Sequence, residues 1–271
     1  MSGEEARQRY RFRVSYVGTS FDGWQSQVSG NAIQDHLERA LAQIHPSCGR
    51  VQGSGRTDAG VHAYQQVAHF EVDGGIRMDG EAWRRAMNTH LPGEIRVSEV
   101  KKAEPDFHAR FSAEGKVYRY VWRTGEVHSP FWVERAWHVR IPLDEALVRQ
   151  AGACFVGRHD FTAFSANRGD ESDQSSKVRT IRRVEIDRQD NRWSFDIEGE
   201  GFLYKMVRMI AGSMVRCGQG KLSLAQLQAW LRGEDLERKA PLVAPAGGLY
   251  LVEVIYPQSP WSQESDTSWM A

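Results

Sequence analysis

The sequence predicts an α+β protein made of two ferredoxin-like halves, each running strand–helix–strand–strand–helix–strand. Three observations predict it. Short runs alternate in β-branched and aromatic residues, the mark of strands with one buried face. Between them lie stretches whose apolar residues recur at helical spacing. The same order of elements then occurs twice along the 271 residues, without obvious similarity between the copies. In such a protein the two antiparallel sheets abut and the helices cover one face.

In the first half, YRFRVSYV at 10–17 reads as a strand, followed by the Gly/Ser-rich loop GTSFDGWQSQVSGN. Asn31 is placed to cap a helix whose face is Ile33, Leu37, Leu41 and Ile44, and Pro46 stops it. Strands at 49–54 and 65–72 flank a glycine loop. Asp79 caps a second helix with Trp83, Met87 and Leu91 on one side; Gly93 closes it, and 95–100 is the last strand.

The second half follows the connector AEPDFHARFSA at 103–113. A strand is expected at 116–123, and a helix at 143–155 with Ala146, Leu147, Ala153 and Cys154 inward. Strands at 179–187 and 192–198 meet at a polar turn. A strongly apolar helix at 202–217, a shorter one at 223–232 and a strand at 248–256 complete the order. The boundaries are therefore 1–103, 104–257 and a tail at 258–271; the tail and the acidic loop 165–177 have the composition of disordered chain.

Composition sets limits on function. Apolar residues make up 41% and charged residues 26%, as in soluble globular proteins, and no apolar run approaches a membrane span. The start, MSGEEARQRYRFRV, is not the pattern of a secretory signal. Cys48, Cys154 and Cys217 form no CxxC pair, which fits buried thiols in a reducing cytosol rather than disulfides or zinc. The His residues show no HExxH spacing and no zinc-deaminase pattern, so no metal or cofactor is expected. Net charge is zero, which counts against a nucleic-acid binder. Yet 28 of the 35 cations are arginine, whose planar fork suits phosphates and base edges.

Residues 53–70, GSGRTDAGVHAYQQVAHF, carry the sharpest signal. Gly53, Gly55 and Gly60 bracket Arg56, Thr57 and Asp58. Taken alone this is a tight turn in which Asp58 bonds nearby amides. It is not a P-loop, because no Gly-Lys-Ser/Thr follows the glycines. The wording GRTDAGVHA followed by QVAHF resembles the catalytic loop of the TruA family of tRNA pseudouridine synthases. The resemblance runs over about 14–256 through YVGTSFDGWQSQ, NAIQDHLERAL, DFHARFSAEGKVYRY, SKVRTI, GFLYKMVRMIAG and APAGGLYLVEV. Val17 departs from it, standing where an aspartate is usual.

The resemblance implies the pseudouridine synthase fold, with an active-site cleft between the halves and Asp58 as nucleophile. Tyr118 of KVYRY becomes the residue that contacts the target base, against a plain reading as a sheet aromatic. Arg208 lies in the apolar helix FLYKMVRMIAGSMV, where a buried arginine needs a carboxylate unless it snorkels to solvent. The resemblance favours pairing with Asp58, which would keep that carboxylate ionised. Arg56 is either a turn arginine or part of the flipped-base geometry. His62, His69 and Trp24 read as packing or loop residues.

The implied reaction breaks the N1–C1′ bond of a flipped-out uridine, turns the uracil and rejoins it through C5. Attack at C1′, formation of a glycal and addition at C6 all remain open. The implied partners are tRNA, at uridines on the 3′ side of the anticodon arm, and a second copy in a homodimer. Two rivals stand beside this reading: a catalytically silent RNA-binding protein of the same fold, and a family member with a different uridine target.

Overall fold

Strand alternation and helical faces of the expected kind organise the computed structural model, which describes residues 7–166, 176–236, 242–258 and 261. The protein is α+β, and the chain divides into two compact units. The first is Met1–Glu114 with Leu251–Ala271, and the second is Gly115–Tyr250. Most of the acidic loop and most of the tail lie outside the described residues.

In the first unit β1 (Gln8–Tyr16) pairs antiparallel with β3 (His62–Val72) on one side and β4 (Ile95–Lys102) on the other, and the short β2 (Gln52–Gly53) pairs with β3. Inward residues of the pleat, among them Phe12, Val14, Phe70 and Val97, are buried. Helices α1 (Ile33–Ile44) and α2 (Gly80–His90) contribute Ile33, Leu37, Leu41, Trp83 and Met87 to the same core. Burying side chains of this size contributes ~1.5–3 kcal/mol each before entropy is subtracted. Asp79 caps α2, its Oδ1 accepting from Ala82 N at 2.7 Å.

The cap of α1 differs from expectation. Ala32, not Asn31, is the N-cap, and Asp35 Oδ2 reaches back to accept from Ala32 N at 2.9 Å. Asn31 is drawn off instead: its Nδ2 donates to Ser20 O at 2.8 Å and its Oδ1 meets His36 Nε2 at 3.1 Å.

In the second unit β5 (Gly115–Thr124) pairs antiparallel with β9 (Arg192–Gly199), which pairs with β8 (Val178–Gln189). Two short strands that have no local sequence signal join them, β6 (Trp137–Val139) on β5 and β7 (Gly157–Asp160) on β8. Three helices complete the unit: α3 (Glu145–Cys154), α4 (Met206–Gly218) and α5 (Leu224–Leu231). Helix α4 is buried nearly all round, as its composition requires. The inward face of α3 is Val148, Ala151 and Gly152, whereas Ala146 and Ala153 are exposed. Gly152 faces Ile186, Val184 and Met214, where a Cβ would come within 2.8 Å of Ile186 Cδ1. That contact fixes which side of the helix is inside. The last strand, β10 (Leu249–Ile255), belongs to the first unit from Leu251 onward, where Glu114 N donates to Ile255 O at 2.8 Å.

Candidate active site

The loop between β2 and β3 carries Arg56 and Asp58, and its shape comes from hydrogen bonds made below it. Ser54, fully buried, donates from its backbone N to Val67 O at 2.8 Å and from its hydroxyl to Gln66 Oε1 at 2.6 Å. Gln66 Nε2 donates in turn to Gly55 O at 2.9 Å. A buried amide satisfied on both sides resists distortion, because freeing either group costs about 1–3 kcal/mol. Tyr16 OH meets Thr57 Oγ1 at 2.9 Å, and burial pushes the tyrosine pKa well above its ordinary value, so this hydroxyl stays neutral. Trp24 N donates to Thr57 O at 3.0 Å, and Val61 N to Asp58 O at 3.1 Å.

Close backbone approach fixes the crest. Gly23 has φ +87°, and a Cβ there would lie 2.6 Å from Thr57 O. Gly60, at φ +79°, turns the chain after Asp58. His62 is buried with its Nδ1 accepting from Gly18 N at 3.0 Å, so it works as a loop tie. Asp58 is half-buried, Thr57 is buried and Arg56 is exposed. Arg56 Nε donates to Gln25 Oε1 at 3.2 Å, and Gln25 Nε2 donates to the buried Gln34 of α1 at 2.7 Å. The loop therefore presents a carboxylate and a guanidinium on a base tied to β1, β3 and α1.

Tyr118 and Arg208 belong to the second unit. Tyr118, on β5 opposite Ile197, is buried and meets Phe202 edge-on, ring centroids 5.0 Å apart. Arg208 is half-buried in the first turn of α4, its Nε donating to Ala244 O at 2.7 Å. Ala244 N donates back to Arg208 O at 3.1 Å. Lys205 caps this helix in the left-handed region, φ 60°.

Sequence reasoning did not single out Tyr16, Gln25, Gln34 or Gln66. Gln66 had a signal: a buried glutamine in the apolar register of β3 must have partners. The glutamines that serve Arg56 had none, because they act across segments distant in the chain. Among the described residues no group of three or more His, Cys, Asp or Glu is placed to hold a metal, and no helix is long and apolar enough to cross a membrane.

An α+β chain with an aspartate on so firmly tied a glycine loop, in the wording GRTDAGVHA, fits one family closely. The chain belongs to the tRNA pseudouridine synthase family, whose model matches residues 13–112 and 151–257. Curated relatives are each named tRNA pseudouridine synthase A. That of Akkermansia muciniphila is 40% identical over 92% of this chain and 96% of its own length. That of a Geobacillus species is 40% identical over 92% and 98%, and that of Neisseria meningitidis 39% identical over 93% and 94%.

Proposed function

We propose that this protein isomerises uridine to pseudouridine in tRNA, with Asp58 as the nucleophile. The observation that carries the reading is the Asp58 loop, which buried Ser54, Gln66 and Tyr16 tie down while Asp58 itself is only half-buried. Chemistry on a base inside a stem or loop needs that base extruded, and a preorganised carboxylate loses little on meeting it. Tyr118 then serves as the aromatic that receives the uracil, and Arg208 as the cation that keeps Asp58 ionised. Arg56, exposed and steered by Gln25, acts on the flipped nucleotide. The reaction is an internal exchange of a C–N for a C–C bond, so atoms balance without a cofactor.

The finer architecture belongs to the same proposal. The strand order β4-β1-β3-β2 in the first unit supports a ferredoxin-like half, and β5-β9-β8 supports a second. The N-terminal half is 1–103 and the C-terminal half 104–257. The enzyme works as a homodimer in the cytoplasm on uridines on the 3′ side of the anticodon arm; three free thiols, of which Cys217 is buried and Cys48 and Cys154 half-buried, fit a reducing compartment.

The test is Asp58→Asn. Asparagine keeps the size and turn chemistry of aspartate, so the loop still closes. It is no anionic nucleophile, so tritium release from tRNA labelled at C5 of uridine falls to background. Filter binding at one fixed salt concentration stays near wild type. Substantial release by the Asn variant sinks the role of Asp58. Release by neither protein makes the chain a silent RNA binder.

A further inference from the structure

A column of rings rises from the core of the first unit and ends in solvent. Its base is His69, buried on β3, against Phe107 (6.2 Å between centroids) and His108 (4.8 Å, planes 68° apart). His108 lies against Phe111, 4.3 Å away with planes 35° apart. Phe111 is the top of the column, and it is 76% exposed.

The column is held rigidly. His108 Nδ1 accepts from the backbone N–H of Arg110 (3.1 Å) and Phe111 (3.3 Å), which leaves its Nε2 to donate to Gln52 Oε1 at 2.9 Å. Ala109 N donates to His69 Nδ1 at 3.2 Å, and Tyr256 OH donates to Ala109 O at 2.7 Å. Burial, with Arg9 and Arg110 nearby, lowers the pKa of His108 and keeps the imidazole neutral. Gln52 opens the hairpin whose connecting loop carries Asp58, so the column and the loop share one support. Arg110, exposed, sets its guanidinium 5.7 Å from the Phe111 ring centroid.

The His108 ring lies against one side of Phe111, and the rest of the Phe111 ring stays in solvent, where it forgoes the gain from burial. An aromatic end-face beside a cation has the chemistry that receives a nucleobase with its phosphate. We propose that Phe111 is a stacking platform for a tRNA nucleotide other than the reacting uridine, with Arg110 on the adjoining phosphate. The proposal rests on the reading of this chain as a tRNA-modifying enzyme, and it adds a positioning site outside the chemical centre.

The experiment titrates tRNA against wild type, Phe111→Ala, Phe111→Leu and Phe111→Trp by filter binding, with tritium release and thermal unfolding measured in parallel. Phe111→Ala and Phe111→Leu are expected to bind about 5- to 100-fold more weakly, and Phe111→Trp to bind as wild type. Arg110→Gln is expected to reduce the slope of log Kd against log salt by about one, whereas Phe111→Ala leaves that slope unchanged. A Phe111→Leu variant that binds like wild type overturns stacking, and a Phe111→Ala variant within twofold of wild type removes the site. If wild type binds tRNA and releases no tritium, while Phe111→Ala still weakens binding, the catalytic reading falls and the platform stands. If the Ala and Leu variants unfold at lower temperature and the Trp variant fails to restore binding, the ring is structural and the proposal fails.

Discussion

At the scale of single residues, Arg208 separates a structural from a chemical contribution. Its Nε–H to Ala244 O bond ties the first turn of α4 to the segment where Tyr120 OH donates to Pro245 O at 2.8 Å. Arg208→Leu loses that bond, at on the order of 1 kcal/mol, and the buried helix keeps its packing. If Arg208 serves the chemistry as proposed, activity is expected to fall by about 100-fold or more. Urea denaturation and tritium release check the two halves of this expectation, and a rate within a few-fold of wild type refutes the second. Tyr118→Phe is a gentler probe. It keeps the ring against Phe202, so tRNA binding persists, and slow turnover marks the hydroxyl as a proton carrier. Equal turnover assigns Tyr118 to stacking alone.

At the scale of elements, the loop after β1 and the Asp58 loop are shaped by each other. Gly23 and Gly30 both have positive φ, +87° and +66°. A Cβ at Gly30 meets nothing within 4 Å, whereas one at Gly23 would meet Thr57 O at 2.6 Å and the Asp58 carbonyl carbon at 3.0 Å. Both Gly→Ala changes pay the backbone cost of a left-handed residue, about 1–2 kcal/mol. Only Gly23→Ala pushes on the Asp58 loop. A larger loss of stability in Gly23→Ala than in Gly30→Ala, with loss of activity confined to Gly23→Ala, is the expected result, read by denaturation and by tritium release. Equal activity in the two variants shows that the loop tolerates displacement.

At the scale of the whole molecule, stability depends on keeping His69 neutral. Burial, followed by the neighbouring His108 and Arg9, lowers its pKa to about 4 from an ordinary 6.5. The unfolded chain therefore binds more protons between these values, and stability rises with pH across that window. The contribution is fully present above about pH 6.5 and is lost as pH falls toward 4, a difference on the order of 3 kcal/mol at most. His69→Asn keeps an acceptor for Ala109 N and removes the titration. Its unfolding free energy, from urea curves at intervals through that window, is expected to vary less with pH than that of wild type. Parallel curves place the pH dependence elsewhere.

The sequence by itself determined the α+β class, most helices and strands, and the family, because periodicity and the GRTDAGVHA wording are local properties of the chain. It also put Asp58 on a glycine-shaped loop. What only tertiary structure decided are the contacts between distant segments. Asn31 loses the α1 cap because Ser20 and His36 compete for its side chain. Alanine faces core or solvent with little preference, so the inner side of α3 was settled by Gly152 fitting against Ile186 and Met214. Strands β6 and β7 are too short to carry a period and exist through their neighbours' hydrogen bonds. Gln66 became the brace of the Asp58 loop by the same cause: a buried amide takes its meaning from the partners that folding brings to it.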